Sequence, residues 1–298
     1  MAYRRVRGDY AVNVRAWAEL LRVSNVLTVV TNGLAATALG ASVSPDPINW
    51  LAMALAVFGI VLLYLGGMTL NDVMDVAIDT RARPGRPIPS GRISRRSAFI
   101  ATVVLFCVGS AGVLAGGIAG VLWLVALLAA ITGYNLITIR GRRNAGLMAL
   151  CRGLIYPTIV SVQGAVGVET LVVGGIVALH TLALTFAARR EADPRSAGSP
   201  VAWVMPFGPV LLLLAPLSAE RHLLDWILVA NATLWLIVAA RWCASTERSP
   251  VRGVLAAIAG FCLLDAVVLA RMQWIEASIA AVICFVITII AHRKILGT

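Results

Sequence analysis

The sequence is poor in charged residues and contains almost no lysine. Only 13% of its 298 residues are charged, whereas 60% are hydrophobic, and the mean hydropathy is +0.89. An average soluble domain is about 25% charged and about 45–50% apolar. A water-soluble fold of this length could not cover so much apolar surface. The composition therefore excludes a soluble globular protein, and it equally excludes a disordered chain.

The sequence also lacks the local patterns of several protein classes. Its five cysteines include no Cys-x-x-Cys pair, so neither a disulfide scaffold nor a zinc site is indicated. Apolar stretches such as residues 51–70 carry no charge and do not alternate with polar residues, which excludes an outer-membrane barrel. We therefore predict an all-α fold, a polytopic transmembrane helical bundle of nine or ten spans. It forms a single domain over residues 1–298, with residues 1–20 as a cytoplasmic N-terminal segment.

Apolar runs of about 20 residues mark the candidate spans. They cover residues 23–42, 50–70, 98–116, 118–138, 146–165, 170–188, 201–217, 223–240, 253–270 and 274–291. Nearly all of the 25 basic residues fall in alternate loops and in the two end segments. Because basic residues concentrate in cytoplasmic loops, we expect both termini in the cytoplasm and the chain in a bacterial inner or cell membrane. All basic residues except Lys294 are arginines, a bias that phosphate binding and a GC-rich genome explain equally well.

An acidic cluster follows the second apolar run. Asp72, Asp75 and Asp79 are spaced i, i+3 and i+7, which places their carboxylates on one face if the helix continues. Three like charges on one face repel unless a cation neutralises them, and Mg²⁺ prefers carboxylate oxygens. Ionisable groups at the membrane boundary indicate a functional site. The alternative is an exposed helix with ordinary surface acids.

A loop rich in arginine and proline comes directly after these acids. Arg83 and Arg86 lie in the segment Arg-Pro-Gly-Arg-Pro-Ile-Pro-Ser-Gly-Arg, residues 83–92. Arginine forks bind phosphate oxygens in pairs, and Mg²⁺ can bridge carboxylates and phosphate. Acids and arginines side by side therefore predict a site for a diphosphate.

The spacing of both segments resembles the first aspartate-rich motif of the UbiA-type membrane prenyltransferases. The matching pattern is Asn-Asp-x-x-Asp-x-x-x-Asp from residue 71, followed by Arg-Pro-x-Arg-Pro-Ile-x-Ser-Gly from residue 83. Family members use Mg²⁺ to transfer an isoprenoid group from a polyprenyl diphosphate to an acceptor, often an aromatic one. The resemblance implies that Asp72, Asp75 and Asp79 are the catalytic metal ligands. It also implies that Asn71, Arg83 and Arg86 help to hold the diphosphate.

Other positions resemble the family more loosely. Arg22 and Asn25, at the start of the first span, look like its Arg-x-x-Asn pattern. Asn25 and Asn32 can either line the substrate cavity or hydrogen-bond another helix. Tyr134 is followed by a displaced basic cluster that includes Arg140 and Arg142. These two arginines can bind phosphate, although topology alone also explains them.

The second aspartate-rich motif of the family is degenerate here. In the corresponding loop we expect Glu191 to be a second metal ligand, or Arg189 to bind the diphosphate directly. Arg152, in Cys-Arg-Gly-Leu, also resembles such a degenerate branch, and we assign it to the substrate-binding residues. Asp265 lies inside the ninth candidate span, where it can pair with an arginine, stay protonated or face a polar cavity.

The resulting hypothesis is a magnesium-dependent membrane prenyltransferase with a small, in some cases aromatic, acceptor. Two alternatives remain open: a membrane terpene cyclase of the same superfamily, and a non-catalytic protein that binds or transports isoprenoid lipids. The expected partners are a prenyl diphosphate, an unidentified acceptor and membrane lipid, but no nucleic acid, because the arginines are dispersed over six segments. The sequence indicates neither the isoprenoid length nor the oligomeric state.

Overall fold

A computed structural model describes residues 14–138, 144–192, 200–217, 220–245 and 250–294, and within these ranges all regular secondary structure is helical. The first helix, α1, covers residues 14–20 of the described part. The others are α2 (Val26–Val43), α3 (Trp50–Met74), α4 (Val76–Ala82), α5 (Arg95–Ala115), α6 (Val121–Thr138), α7 (Ala145–Gly153), α8 (Ile155–Gln163), α9 (Val168–Ala192), α10 (Phe207–Leu214), α11 (Leu223–Ala244), α12 (Pro250–Arg271) and α13 (Ile275–Lys294). Short 3₁₀ turns precede α2, α6 and α10.

Nine helical stretches in the described ranges are long and apolar enough to cross a membrane. They confirm nine of the ten candidate spans, with α7 and α8 together forming the fifth. The candidate at 201–217 is wrong in length, because its helical part runs only over Pro200–Leu214. Fifteen residues reach roughly 22 Å at about 1.5 Å per residue, less than a hydrocarbon core of about 30 Å. Pro216 explains where the stretch ends, since proline disfavours helix in the residue before it, and Pro206 lies between the 3₁₀ turn and α10.

The bundle has two ends, each with a recognisable set of residues. The aspartate end contains Asp72, Asp75 and Asp79, after the last turn of α3. The far end contains the loop between α2 and α3, where the side chain of Gln163 contacts the backbone of Asn49. Both ends of the described chain lie at the aspartate end, since α1 packs there and α13 finishes beside α2.

Helix α1 docks onto the aspartate end. Its buried Ala16 and Leu20 form a small apolar cluster with Val73, Ile88 and Ile93. This cluster is separate from the main core, which fills the space between the membrane-spanning helices. Residues 14–20 of the predicted cytoplasmic segment therefore form a helix that packs against the aspartate end of the bundle.

Helix α12 is the most buried membrane-spanning helix in the described part of the chain. It packs against α2, α9, α11 and α13, so residues on every face of α12 meet protein. A helix that is apolar all round is typical of such a central position. Polar groups on α12, above all Asp265, must therefore find partners inside the bundle.

Glycines bring α3 and α5 into close contact. A Cβ atom on Gly109 would lie 2.8 Å from the carbonyl oxygen of Gly59, and one on Gly112 would lie 2.9 Å from that of Leu55. Small residues allow membrane helices to approach at backbone distance. The pair α3 and α5 depends on this approach, because each glycine meets backbone rather than a movable side chain.

We expect Gly109→Leu to lower the free energy of unfolding by about 1–3 kcal/mol, the usual cost of overpacking. Gly175→Leu is the matched control, because a Cβ at Gly175 meets nothing within 4 Å. Thermal unfolding of the purified variants in detergent measures both changes. Equal stability of the two variants would contradict the close packing of α3 and α5.

Candidate functional site

The three aspartates are buried around a break in the helix. Asp75 separates α3 from α4, and the backbone N–H of Asp79 still donates to the carbonyl of Asp75 over 2.8 Å. The exposed fractions of Asp72, Asp75 and Asp79 are only 5%, 2% and 3%. Carboxylates this buried need charged or hydrogen-bonding partners. The interpretation as ordinary surface acids is therefore excluded.

Two arginines supply positive charge to these carboxylates. Arg86 Nη1 lies 2.6 Å from Asp79 Oδ2 and 3.3 Å from Asp72 Oδ1, and Arg22 Nη2 lies 3.5 Å from Asp72 Oδ1. Arg86 therefore bridges two of the acids. Arg22 has a φ of 50°, in the left-handed region that residues with a side chain adopt at a cost of about 1–3 kcal/mol. Such strain at a charged contact is typical of a functional position.

Arg22 lies just outside the membrane-spanning segment and keeps its charge. Burial lowers the pKa of its guanidinium, but the neighbouring Asp72 carboxylate raises that pKa, and the net result lies above the ordinary value. Arg22 therefore provides a permanent positive charge beside Asp72.

The loop after α4 folds back and fixes Arg86. The Ser90 hydroxyl donates to the Arg86 carbonyl over 2.7 Å, and Arg92 Nη2 donates to the Gly85 carbonyl over 2.7 Å. Arg92 also pairs with Glu19 of α1 at 2.7 Å. The turn needs Gly91, whose φ is +75°. Sequence reasoning missed the pair Arg92–Glu19, which ties the loop to α1, because no spacing rule connects two segments so far apart.

A cavity of about 280 Å³ opens beside this cluster and runs into the bundle between α2, α3, α6, α7, α9 and α12. Arg22, Arg83, Arg86 and Asn71 line its polar mouth. The interior wall is mostly apolar and includes Leu63, Met68, Leu127, Ile131, Leu184, Ile258 and Phe261. The cavity therefore combines an anion-binding mouth with a body that suits a hydrocarbon chain.

The structure brings most of the predicted substrate-binding residues to this one cavity. Its lining includes Asn71, Arg83, Arg86, Arg22, Asn25, Tyr134 and Arg152. Arg140 and Arg142 lie outside the described residues. Arg189 and Glu191 belong to α9, but their side chains are not part of what the structure describes. Thr28, Tyr64, Cys151 and Thr185 line the cavity as well, and sequence reasoning missed them.

Asn32 and Tyr156 are not among the residues that line the cavity. Of the two alternatives for Asn32, the one that places it in the substrate cavity is therefore wrong. Asn32 Nδ2 and the Tyr156 hydroxyl donate instead to Asp265, over 2.8 and 2.5 Å, and Thr31 Oγ1 contacts the same carboxyl at 2.6 Å. No arginine forms an ion pair with Asp265 in the part of the chain that the structure describes. Asp265 therefore joins α12 to α2 and α8 through polar side chains.

His292 of α13 does not line the cavity but hydrogen-bonds Asn25, a residue of its wall. Its Nε2 lies 2.6 Å from Asn25 Oδ1, and the histidine side chain is buried. Asn25 itself lines the cavity. His292 therefore positions Asn25, a role that its place near the end of the last span did not indicate.

The donor atoms at the aspartate end have the right chemistry for a hard divalent cation, namely three buried carboxylates. As the side chains stand, no three acidic, histidine or cysteine residues among those described converge on one metal position. Arg86 explains this arrangement, because its guanidinium lies between Asp72 and Asp79. Metal ligation by Asp72, Asp75 and Asp79 therefore fits the donor set but stays a prediction.

Comparison with known proteins gives the family. The model of the UbiA prenyltransferase family matches residues 29–295. The chain belongs to the UbiA prenyltransferase family. This agrees with the aspartate and arginine spacing and with the helical bundle around the cavity.

The family's curated relatives match a shorter part of the chain. A digeranylgeranylglyceryl phosphate synthase from Methanothrix thermoacetophila is 44% identical over 91 residues, and one from Sulfolobus acidocaldarius is 33% identical over 98 residues. These matches span 30% and 33% of this chain and 34% of each relative. The chain thus aligns with only about a third of the length of these relatives.

Solved structures share the fold of this UbiA family member. A UbiA homolog from Archaeoglobus fulgidus bound to GPP and Mg²⁺ has a TM-score of 0.61 at 17% identity, over 87% of this chain and 99% of that one. A digeranylgeranylglyceryl phosphate synthase structure has a TM-score of 0.58 at 19% identity, over 90% and 99% of the two chains. At these identities the likeness concerns the fold alone.

Proposed function

We propose that this protein is a magnesium-dependent integral-membrane prenyltransferase, which moves an isoprenoid group from a polyprenyl diphosphate to a small acceptor. The observation that carries the proposal is the mouth of the cavity, where Arg22 and Arg86 stand in front of buried Asp72 and Asp79. Such a mouth suits a diphosphate, and the apolar body behind it suits an isoprenoid tail. The solved homolog bound to GPP and Mg²⁺ supports the same assignment.

Mg²⁺ would be held by Asp72, Asp75 and Asp79, with Glu191 as a further ligand. Its chemistry there is to neutralise the growing charge of the departing diphosphate. Arg86 contacts Asp72 and Asp79 now, and a cation on these acids would free its fork for phosphate oxygens.

The protein's own groups favour ionisation of the prenyl diphosphate. Fixed guanidinium donors at Arg22 and Arg86 stabilise charge where it develops, which is often the largest contribution to catalysis. The C–O bond to the diphosphate breaks, and the apolar wall keeps water from the allylic cation that remains on the isoprenoid. The nucleophilic atom of the acceptor then bonds to that carbon and gives up its proton, which the departing diphosphate can accept. Asn25 and Tyr134 line the same cavity and would orient the reactants.

We further propose that the aspartate end faces the cytoplasm. Residues 14–20 and 294 lie at this end, and so does the arginine-rich loop after α4. Basic residues concentrate on the cytoplasmic side of membrane proteins. Soluble prenyl diphosphate would then reach the mouth of the cavity from the cytoplasm.

Purified protein incubated with geranyl, farnesyl or geranylgeranyl diphosphate, Mg²⁺ and a panel of acceptors is expected to release pyrophosphate and to form a prenylated acceptor. Mass spectrometry identifies the product, and EDTA should stop its formation. Cyclised product without any acceptor would identify a terpene cyclase instead. Binding of the diphosphate with no pyrophosphate release from any acceptor mixture would support a non-catalytic carrier.

A further inference from the structure

A histidine of the last helix is hydrogen-bonded to the side chain of a cavity residue. His292 lies near the end of α13, which packs against α2 and against the 3₁₀ turn that precedes it. The residue is only 6% exposed, and its Nε2 lies 2.6 Å from Asn25 Oδ1. An amide oxygen only accepts hydrogen bonds, so Nε2 carries the proton and donates it. The imidazole therefore fixes which edge of the Asn25 amide faces α13.

Asn25 stands at a position where an asparagine side chain usually stabilises its own helix. It is the N-cap residue of α2, and asparagine there ordinarily accepts a hydrogen bond from a backbone N–H of the first turn. The Asn25 side chain makes no such bond. Its oxygen is used by His292 instead, 267 residues further along the chain. The side chain is therefore held by tertiary contact rather than by its own helix.

The NH₂ edge of the Asn25 amide is turned toward the cavity. With Oδ1 held by His292, Nδ2 points away from α13, and Asn25 lines the cavity. The hydroxyl of Tyr64, another lining residue, lies within hydrogen-bonding reach of the same side chain. An NH₂ group has two N–H donors, so a single partner such as Tyr64 leaves the second N–H for a ligand.

Asn25 lies deeper in the cavity than the arginines at its mouth. It follows Arg22 by three residues along the 3₁₀ turn, which corresponds to roughly 6 Å at about 2.0 Å per residue. A diphosphate bound by Arg22 and Arg86, with its isoprenoid tail in the apolar body, places the oxygen that joins the two parts at this level. When the C–O bond breaks, the electron pair stays on that oxygen. A fixed N–H donor stabilises the negative charge that develops there.

We propose that His292 is a positioning residue for this step, because it turns an N–H of Asn25, and not the amide oxygen, toward the departing diphosphate oxygen. The proposal rests on the prenyltransferase function above and adds a residue of the last helix to its machinery. Without the His292 donor the amide can rotate, and its partly negative oxygen then opposes the developing charge. His292 is not among the residues that line the cavity, so it acts through Asn25.

His292→Leu removes the donor and is expected to lower kcat for pyrophosphate release by about tenfold or more. The affinity for geranylgeranyl diphosphate should stay within about twofold of wild type, because Arg22 and Arg86 are unchanged. His292→Gln can place an amide N–H where Nε2 stands, so it should recover most of the lost turnover. Thr288→Val is the matched control on α13, since the buried Thr288 hydroxyl donates to the Cys284 carbonyl of the same helix. Its turnover should equal that of wild type.

A double-mutant cycle separates positioning from a purely structural role. Asn25→Leu should lower kcat by about 10²–10³-fold, as loss of one oxyanion donor does in other enzymes. Because His292 acts through Asn25, His292→Leu should add no further loss in the Asn25→Leu background. The proposal is overturned if the two losses are additive, or if His292→Gln is no more active than His292→Leu.

A measurement without turnover distinguishes this proposal from the proposed function. Protein labelled with ¹⁵N-asparagine gives an NMR signal for the Asn25 side-chain NH₂, assigned by its absence in Asn25→Leu. We expect geranylgeranyl diphosphate and Mg²⁺, without acceptor, to shift this signal in wild type and in His292→Gln, and to shift it much less in His292→Leu. An unshifted signal in wild type contradicts the role of His292 even if pyrophosphate is released in turnover assays. The expected shifts without pyrophosphate release from any acceptor mixture support that role and contradict prenyl transfer.

Discussion

Replacing Asp72 and Asp75 together by asparagine is expected to reduce prenyl-diphosphate turnover by about 10³-fold or more, because a single oxyanion donor is already worth about 10²–10³ in other enzymes. The substitution keeps the size of both side chains and removes two of the three buried charges at the aspartate end. Asparagine cannot supply the anionic oxygens that a hard cation prefers. Release of pyrophosphate under saturating Mg²⁺ measures the effect.

Binding should respond to this double variant in the opposite direction. Arg86 loses one of its two carboxylate partners, and Arg22 loses its contact with Asp72. Freed guanidinium groups attract a diphosphate more strongly, so affinity for geranylgeranyl diphosphate without Mg²⁺ should be kept or increased. This separation of binding from turnover distinguishes a catalytic metal site from acids that only hold the arginines.

Asp46→Asn is the control for these assays. Asp46 is an exposed acid at the far end of the bundle, in the loop between α2 and α3. Removing its carboxylate changes the net charge by one unit and alters no residue that lines the cavity. Turnover should therefore stay at the wild-type level. Wild-type turnover in the Asp72→Asn/Asp75→Asn variant would overturn the catalytic assignment.

The aspartate end could be predicted from the sequence because its geometry is local. Spacings of three, four and seven residues place side chains on one helical face whatever the rest of the chain does. Asp72, Asp75 and Asp79 follow this rule even though the helix breaks at Asp75. The arginines lie within the next fourteen residues, so Arg86 can fold back on Asp72 and Asp79.

The inner wall of the cavity was harder to predict, because it depends on which helices meet. Asn25 and Thr28 face the cavity, whereas Asn32 turns to α12. Asn25, Thr28 and Asn32 are spaced i, i+3 and i+7, so helical periodicity puts all three on one face and could not separate Asn25 from Asn32. No sequence signal connects His292 to Asn25 either, which are 267 residues apart. Such contacts are decided by packing rather than by local pattern.

Asp265→Leu is expected to have the largest effect on stability. The carboxyl group accepts hydrogen bonds from Thr31, Asn32 and Tyr156, and all four side chains are almost completely buried. Hydrogen bonds between membrane helices contribute about 0.6 kcal/mol on average and up to about 1.7 kcal/mol, so three of them give roughly 2–5 kcal/mol. Loss of this group also removes the polar connection between α2, α8 and α12.

Thermal unfolding in detergent measures this loss, with two variants of graded severity for comparison. Tyr156→Phe removes one donor and should lower stability by about 1 kcal/mol, near the average for a single hydrogen bond. Asp265→Asn keeps the shape of the side chain and one oxygen that can still accept from Asn32 and Tyr156. The stability of this variant should therefore lie between those of Tyr156→Phe and Asp265→Leu. Equal stability of Asp265→Leu and wild type would contradict a structural role for the network.

The double variant Asp265→Leu/Tyr156→Phe tests whether these side chains act as one unit. In the single variant Asp265→Leu, the Tyr156 hydroxyl is left in an apolar interior without its acceptor, and an unsatisfied buried donor costs about 1–3 kcal/mol. Removing that hydroxyl as well eliminates the penalty, so the double variant should be more stable than the sum of the single effects predicts. Strict additivity would mean that Asp265 and Tyr156 stabilise the bundle independently, in spite of the 2.5 Å that separates their oxygens.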